Sequence, residues 1–386
     1  MTEKKAIENT DFKGNKGEWA EIYIFLKLLV DGKLYAADRN LNKINDVYLD
    51  ILKIIREENK GFVYSYHPGK QIEINLNEKN VGPIFSKAKY DTIKDLIWNY
   101  LNSSSGSISI PTVDSFLNEI HITKLKAPAF SKSSFGGTSD IVMEIMDYRS
   151  GTNNTLGFSC KSDLTAQATL FNASKNNTNF VYQINGPMTD EIMNEFNNIL
   201  DNQGHVSISA RIQYLKQKKM TLTFVSPAME TAKRNLILSG GKEMPLIVGS
   251  LLKYYYWDNE AKAIHGSLLD GLTYVTENDV AAYEMDDLRS IYERKISTLL
   301  LDMFTGMRLA TNWDGHSSVN GGYIVLKQNG DVVAYHSTIA DQFKEYLIDS
   351  LAFDSPSATR HDYMKIYKAE DKYLINFNMQ IRFRKK

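Results

Sequence analysis

Two short strings carry the side chains best suited to chemistry, SDIVMEIM at 139–146 and LGFSCK at 156–161. In an extended chain alternate residues share a face, so Asp140, Val142 and Glu144 lie together, while Ser159 and Lys161 face one way and Cys160 the other. A hairpin between the strings brings Asp140 beside Lys161. That pairing suits metal-assisted phosphodiester hydrolysis: a hard carboxylate for Mg²⁺, a neighbouring backbone carbonyl such as that of Cys160, and a lysine to orient water and offset developing charge. The same two residues can also form a surface salt bridge across a hairpin. Glu144 stands about 13 Å along the strand from Asp140, too far to share one metal without a bend.

The elements that must position these residues are read from periodicity. Apolar residues Trp19, Ile22, Tyr23, Phe25, Leu26 and Leu29 recur at helical spacing between Gly17 and Gly32, with Trp19 a core residue. A second amphipathic helix is expected over Lys87–Leu101, followed by a hinge-like loop, NSSSGSIS. The turn-rich RSGTNNT joins the two chemical strings into a hairpin. Thr165–Ser174 reads as a short helix and NFVYQI as a strand. From Met188 to about Leu301 the pattern is mostly helical. From Gly321 strands return, with a hairpin around Asn329-Gly330 and a closing YLINFNMQIRFRKK. The class is mixed α/β, with a soft boundary near 185, giving expected portions 1–185 and 186–386.

The order helix glutamate, aspartate, lysine resembles the PD-(D/E)XK nuclease core. There KGEWAE places Gly17 four residues before Glu21, the candidate helix acid. Ser159 departs from the pattern, standing where that core has a second acid; Glu21 is the candidate to replace its charge, with Glu18, Glu144 and Asp163 as alternatives. Longer strings sharpen the likeness. LGFSCKSDLTAQATLFNASKNNTNFVY, GGYIVLKQNGDVVAYH, DSPSATRHDY, NFNMQIRF and the opening KGEWAEIYIFLKLLVDGKLYAADRNLN are similar to type II restriction endonucleases of the HpaII family. The stretch from about 185 to 310 carries no matching string. The resemblance implies a nuclease core with a mixed central sheet flanked by helices, plus a C-terminal α+β portion for DNA recognition. It implies Mg²⁺-dependent cutting of double-stranded DNA at a short palindrome such as CCGG. Asp140, Cys160 and Glu21 are then metal ligands, Lys161 positions water, and Ser159 touches phosphate or a metal-bound water. A homodimer is expected for a palindrome, with a cognate methyltransferase as functional partner without physical contact.

RIQYLKQKK at 211–219 and the terminal RFRKK each carry four positive charges without an acid. Lys216, Lys218, Lys219, Arg382 and Arg384 are candidate phosphate contacts; a solvated face has the same composition. Arg360 and His361 sit in DSPSATRH with Ser355, Ser357, Thr359 and nearby Ser350 as hydroxyl donors, and an arginine fork can read a guanine edge. Arg360 can equally hold its loop through Asp354 or Asp362.

Composition narrows the remaining classes. With 386 residues, 43% hydrophobic, the chain supports one large core or two ordinary ones. With 45 basic against 46 acidic residues, any nucleic-acid surface must be local. One cysteine, Cys160, excludes a disulfide framework and paired-thiolate zinc sites. No apolar run spans a bilayer, and a cytoplasmic protein without a membrane partner is expected. Zinc-hydrolase, acyl-transfer and phosphate-loop motifs are missing. Rival readings are a non-catalytic DNA-binding protein on a decayed nuclease core, suggested by Ser159, and a structure-specific repair or junction nuclease.

Overall fold

The computed structural model describes residues 11–38, 40–104, 106–126, 139–147, 151–162, 164, 169–258, 266–316, 320–336 and 340–384. In chain order the elements begin β1 (Lys13–Asn15), α1 (Lys16–Asp31), β2 (Lys33–Ala37), β3 (Lys43–Asn59), β4 (Phe62–His67), β5 (Gln71–Leu76), β6 (Lys79–Asn80) and β7 (Phe85–Ser86). Next come α2 (Lys87–Ser103), β8 (Ser107–Ser109), α3 (Pro111–Glu119), β9 (Ile141–Asp147), β10 (Thr152–Ser162), β11 (Thr169–Phe171) and β12 (Asn179–Asn185). A helical stretch follows: α4 (Asp190–Asn197), α5 (Ile208–Gln217), β13 (Thr221–Pro227), α6 (Glu230–Gly240), α7 (Met244–Lys253), a π-helical turn (Tyr254–Asp258), α8 (Leu268–Glu277) and α9 (Leu288–Phe304). The chain ends with β14 (Gly322–Leu326), β15 (Val332–His336), α10 (Ala340–Ser350), β16 (Leu351–Phe353), α11 (Ala358–His361), β17 (Ile366–Ala369), β18 (Lys372–Asn378) and β19 (Ile381–Phe383).

These elements segregate into two compact units, Met1–Thr165 with Ser318–Phe343, and Ala166–Ser317 with Lys344–Lys386. The chain thus passes between units three times, where the sequence reading placed one soft boundary near 185. The return of β14 and β15 to the first unit is a long-range pairing with no local signature.

In the first unit α1 begins at a capping box. The Asn15 side chain accepts from Glu18 N at 3.0 Å, and the Glu18 carboxylate accepts from Asn15 N at 2.8 Å. It ends at Gly32, whose φ of 65° suits a residue without Cβ and whose N–H reaches Leu28 O. Ten of its 16 residues are buried, so α1 is a central core element, and Trp19, fully buried, donates from its indole to Ile108 O at 3.0 Å. Strands β2-β15-β14-β10-β9-β3-β4-β5-β6 form one path that closes on itself, because β3 pairs with β2 through its first half and with β9 through its second. β10 lies between antiparallel β9 and parallel β14. The expected hairpins, β9–β10 and β14–β15, both form; Gly330 in the second turn has φ 86°.

The second unit holds the sheets β13-β12-β18-β17 and β11-β19-β16 with α4 to α9. Three expectations are corrected here. In the expected short helix Thr165–Ser174, residues 169–171 instead form strand β11, which pairs with β19 and is too short to show any period, and residues 172–174 are irregular; residues 165–168 lie outside the described residues. β13 interrupts the stretch read as helical, and α10 the stretch read as strands. In the first unit, Ser107–Ser109 of the expected hinge pair antiparallel with β1, since the backbone groups of a polar segment are satisfied as well by a sheet as by water.

Candidate active site

The β9–β10 register sets Ile141 opposite Phe158, and Asp140 N donates to Phe158 O at 2.9 Å, so the aspartate stands at the mouth of the hairpin. Its Oδ2 accepts from Ser159 Oγ at 3.0 Å and from Cys160 N at 2.7 Å. Ser159 therefore holds the carboxylate by a neutral hydrogen bond where a second acid would repel it. Alternation in β10 is as expected: Phe158 and Cys160 are buried in the core, Ser159 is half-buried and Lys161 exposed. Burial pushes the Cys160 thiol well above its usual pKa, which leaves its backbone as its polar contribution.

A cleft of about 240 Å³ is lined from α1 by Lys16, Gly17, Ala20 and Glu21 and from β10 by Cys160, Lys161 and Ser162. Gly17, Ala20, Glu21 and Ile24 follow helical spacing, so they share the face turned to β10, and the small residues leave room there. Among the described residues Glu21 Oε2 is buried without a hydrogen-bond partner. Burial first, then the nearby Asp140 charge, raise its pKa from 4.5 to about 7, opposed by Lys126 and Arg56. An orphaned carboxylate oxygen beside a second carboxylate is a donor set that suits a hard divalent cation, which takes oxygen ligands and retains waters. Among the described residues no group of three or more His, Cys, Asp or Glu clusters as a metal site, so water and backbone oxygens would complete any such shell.

The alternatives to Glu21 separate geometrically. Glu18 is committed to the cap of α1, and Glu144 pairs with Lys53 at 2.9 Å on the adjacent strand. Asp163 lies outside the described residues. Behind the site is a pair the sequence reading missed. Arg56 Nε meets Glu58 Oε1 at 2.6 Å, Arg56 Nη2 donates to Lys124 O, and Glu58 Oε2 accepts from Thr123 N and Oγ1. Its signal was present in β3, where alternation from buried Ile54 puts Arg56 and Glu58 on the inward face.

The candidate DNA contacts all lie in the second unit. Arg360 and Thr359 are exposed on the short helix α11. Ser357 is its N-cap, accepting from Arg360 N, so that hydroxyl is partly committed. The Arg360 side chain holds neither neighbouring acid: Asp354 meets Arg382 Nε at 2.8 Å and Asp362 lies 3.8 Å from Lys175. Burial, then the Arg360 charge, lower the pKa of His361, which disfavours its cationic form. Ser350, named as a hydroxyl donor, is instead buried, because it closes α10 against β16. The loop is held from beneath by amides. Asn179 Nδ2 donates to the carbonyls of His361 and Asp362, and Asn378 donates to Asn179 Oδ1 at 2.6 Å. Tyr363 Oη bonds Pro356 O, and Tyr255 Oη meets Ser355 Oγ at 3.0 Å.

The basic clusters divide by role. Arg211 is buried and donates to the carbonyls of Asn197, Ile199 and Met364. Lys216 sits 5.9 Å over the Trp257 ring and Lys218 5.4 Å over Tyr214, while Lys218 and Lys219 are exposed. Arg384 donates to Asp349 O. Neutralising Lys216, Lys218 and Lys219 together is expected to flatten the log–log salt dependence of DNA binding by up to about 2 to 3 units, at about 0.9 per phosphate contact. An unchanged slope in a binding titration returns this face to solvent.

In this mixed α/β protein two carboxylates, Glu21 and Asp140, and Lys161 come together where α1 meets the β9–β10 hairpin. The chain belongs to the HpaII restriction endonuclease family, whose family model matches residues 15–383. It is 35% identical over 379 residues to the type II restriction enzyme HpaII of Haemophilus parainfluenzae, covering 96% of this chain and 99% of that relative. No solved structure matches the chain. Among the described residues no helix is long and apolar enough to cross a membrane.

Proposed function

We propose that this chain is a type II site-specific deoxyribonuclease that hydrolyses phosphodiester bonds of double-stranded DNA with Mg²⁺, on a PD-(D/E)XK core. Family membership supports the activity, and the observation that carries the site is the orphaned Glu21 carboxylate in one cleft with Lys161, acting on Asp140. Asp140 and Glu21, with the Cys160 carbonyl, would hold the cation, which when bound supplies Lewis-acid stabilisation of the charge that develops on phosphate. Lys161, exposed at the cleft edge, orients the attacking water and offsets that charge. Ser159 keeps the Asp140 carboxylate in place through its 3.0 Å bond. The first unit is the catalytic portion and the second supplies DNA recognition. Two copies, one per strand of a palindrome, and a cytoplasmic setting with a separate protecting methyltransferase complete the reading.

The recognised site proposed is CCGG, with Arg360 reading a guanine through its O6 and N7 acceptors. Arg360→Ala is expected to cost about 1 to 3 kcal/mol of specific binding and much less of nonspecific binding, since a bidentate base contact carries that discrimination. Equal losses would make Arg360 a phosphate clamp. Incubating plasmid with protein and Mg²⁺ and sequencing the cut ends tests the whole reading. Discrete fragments ending within CCGG are expected; other fixed ends remove the specificity alone, shape-dependent cuts point to a junction nuclease, and a mobility shift without cutting leaves a binding protein.

A further inference from the structure

Lys16 opens α1 and lines the same cleft as Glu21 and Lys161. Its position is electrostatically adverse, because the helix macrodipole presents its positive end there and favours anions. The one acid of the first turn, Glu18, is committed to Asn15 N. Among the described residues the Lys16 ammonium has no ion pair or hydrogen bond. Next to it, a Cβ added at exposed Gly17 would meet only Asn15 Oδ1, at 3.1 Å, so the first turn is open to an approaching group. Asn15 caps the Glu18 N–H, and the N–H groups of Lys16 and Gly17 precede the first intrahelical acceptor, which leaves them suited to an anion. A half-buried lysine with no ion pair among the described residues, in a cleft whose other wall carries a second lysine, is suited to an anionic ligand.

We propose that Lys16 is a second phosphate-binding lysine of this cleft, contacting a non-bridging oxygen of the DNA strand being cut from the helix side while Lys161 acts from the strand side. This rests on the nuclease reading above. The test compares Lys16→Gln, Lys16→Arg and Lys161→Ala in single-turnover cleavage of plasmid with Mg²⁺, and in binding of a plasmid-derived duplex in Ca²⁺ across KCl concentrations. Lys16→Gln is expected to slow cleavage about 10- to 100-fold and to reduce the salt slope by about 1, with Lys16→Arg restoring both. A rate within about twofold of wild type in Lys16→Gln, while Lys161→Ala is inactive, overturns the inference and leaves the cleft assignment standing. A loss that arginine does not restore, or that leaves the salt slope unchanged, marks damage to α1 and overturns it as well. Full activity in Lys161→Ala removes the nuclease reading of the cleft and the inference together.

Discussion

Asp140→Asn and Lys161→Ala are each expected to slow DNA cleavage at least about a hundredfold, which is about 2.7 kcal/mol of barrier, while binding in Ca²⁺ changes by a few-fold at most. Asparagine keeps the shape of Asp140 and retains an oxygen to accept from Ser159 Oγ and Cys160 N. The charge alone is lost, so a fall in rate isolates electrostatics from folding. Lys161 is exposed, and truncating an exposed side chain usually moves stability by less than about 0.5 kcal/mol. Its loss therefore reads out on chemistry. Single-turnover rates with saturating enzyme separate this effect from binding, and near-normal turnover in either variant removes that residue from the site.

Glu21→Gln is expected to abolish most cleavage and yet to stabilise the metal-free protein at alkaline pH. The folded pKa of Glu21 is raised to about 7 from 4.5, mainly by burial. Protonation thus favours the folded state: this contribution is complete below about pH 4.5 and is lost as pH rises through about 7. Above that, the ionised and unpartnered carboxylate costs up to about 3 kcal/mol, at about 1.4 kcal/mol per pKa unit. Glutamine cannot ionise. In EDTA the melting temperature of Glu21→Gln should match wild type below about pH 4.5, exceed it increasingly from there to about pH 7 and by a constant margin above that, a trade of stability for function seen where active sites hold unsatisfied charge. A parallel pH profile for the two proteins would show that Glu21 is not the strained group. Wild-type cleavage across Mg²⁺ concentrations would pass the ligand role to another carboxylate, and with Glu18 and Glu144 engaged elsewhere, Asp163 is next.

Local pattern carried a large part of this molecule. Helix α1 was legible because apolar spacing and the glycine that ends it are properties of residues within a few turns of each other, although its Asn15 cap was not read. The two hairpins were legible for the same reason, as was the alternation that buries Cys160 and exposes Lys161. Short strands such as β11 were not, since three residues carry no period and the partner β19 lies some 200 residues away.

Candidate residues for the site could thus be proposed from sequence, whereas their environment is tertiary. Nothing local pairs β10 with β14 in parallel across more than 150 residues, or closes the sheet through the two halves of β3. Both follow from burying apolar faces around α1, a non-local gain. Only that packing buries Glu21 without a partner, shifts its proton affinity and sets Arg56 and Glu58 behind it. Likewise, composition left Arg360 between base contact and loop anchor. The fold gave Asp354 to Arg382 and left Asp362 facing Lys175, because ion pairing depends on distances of a few ångströms that sequence separation does not encode.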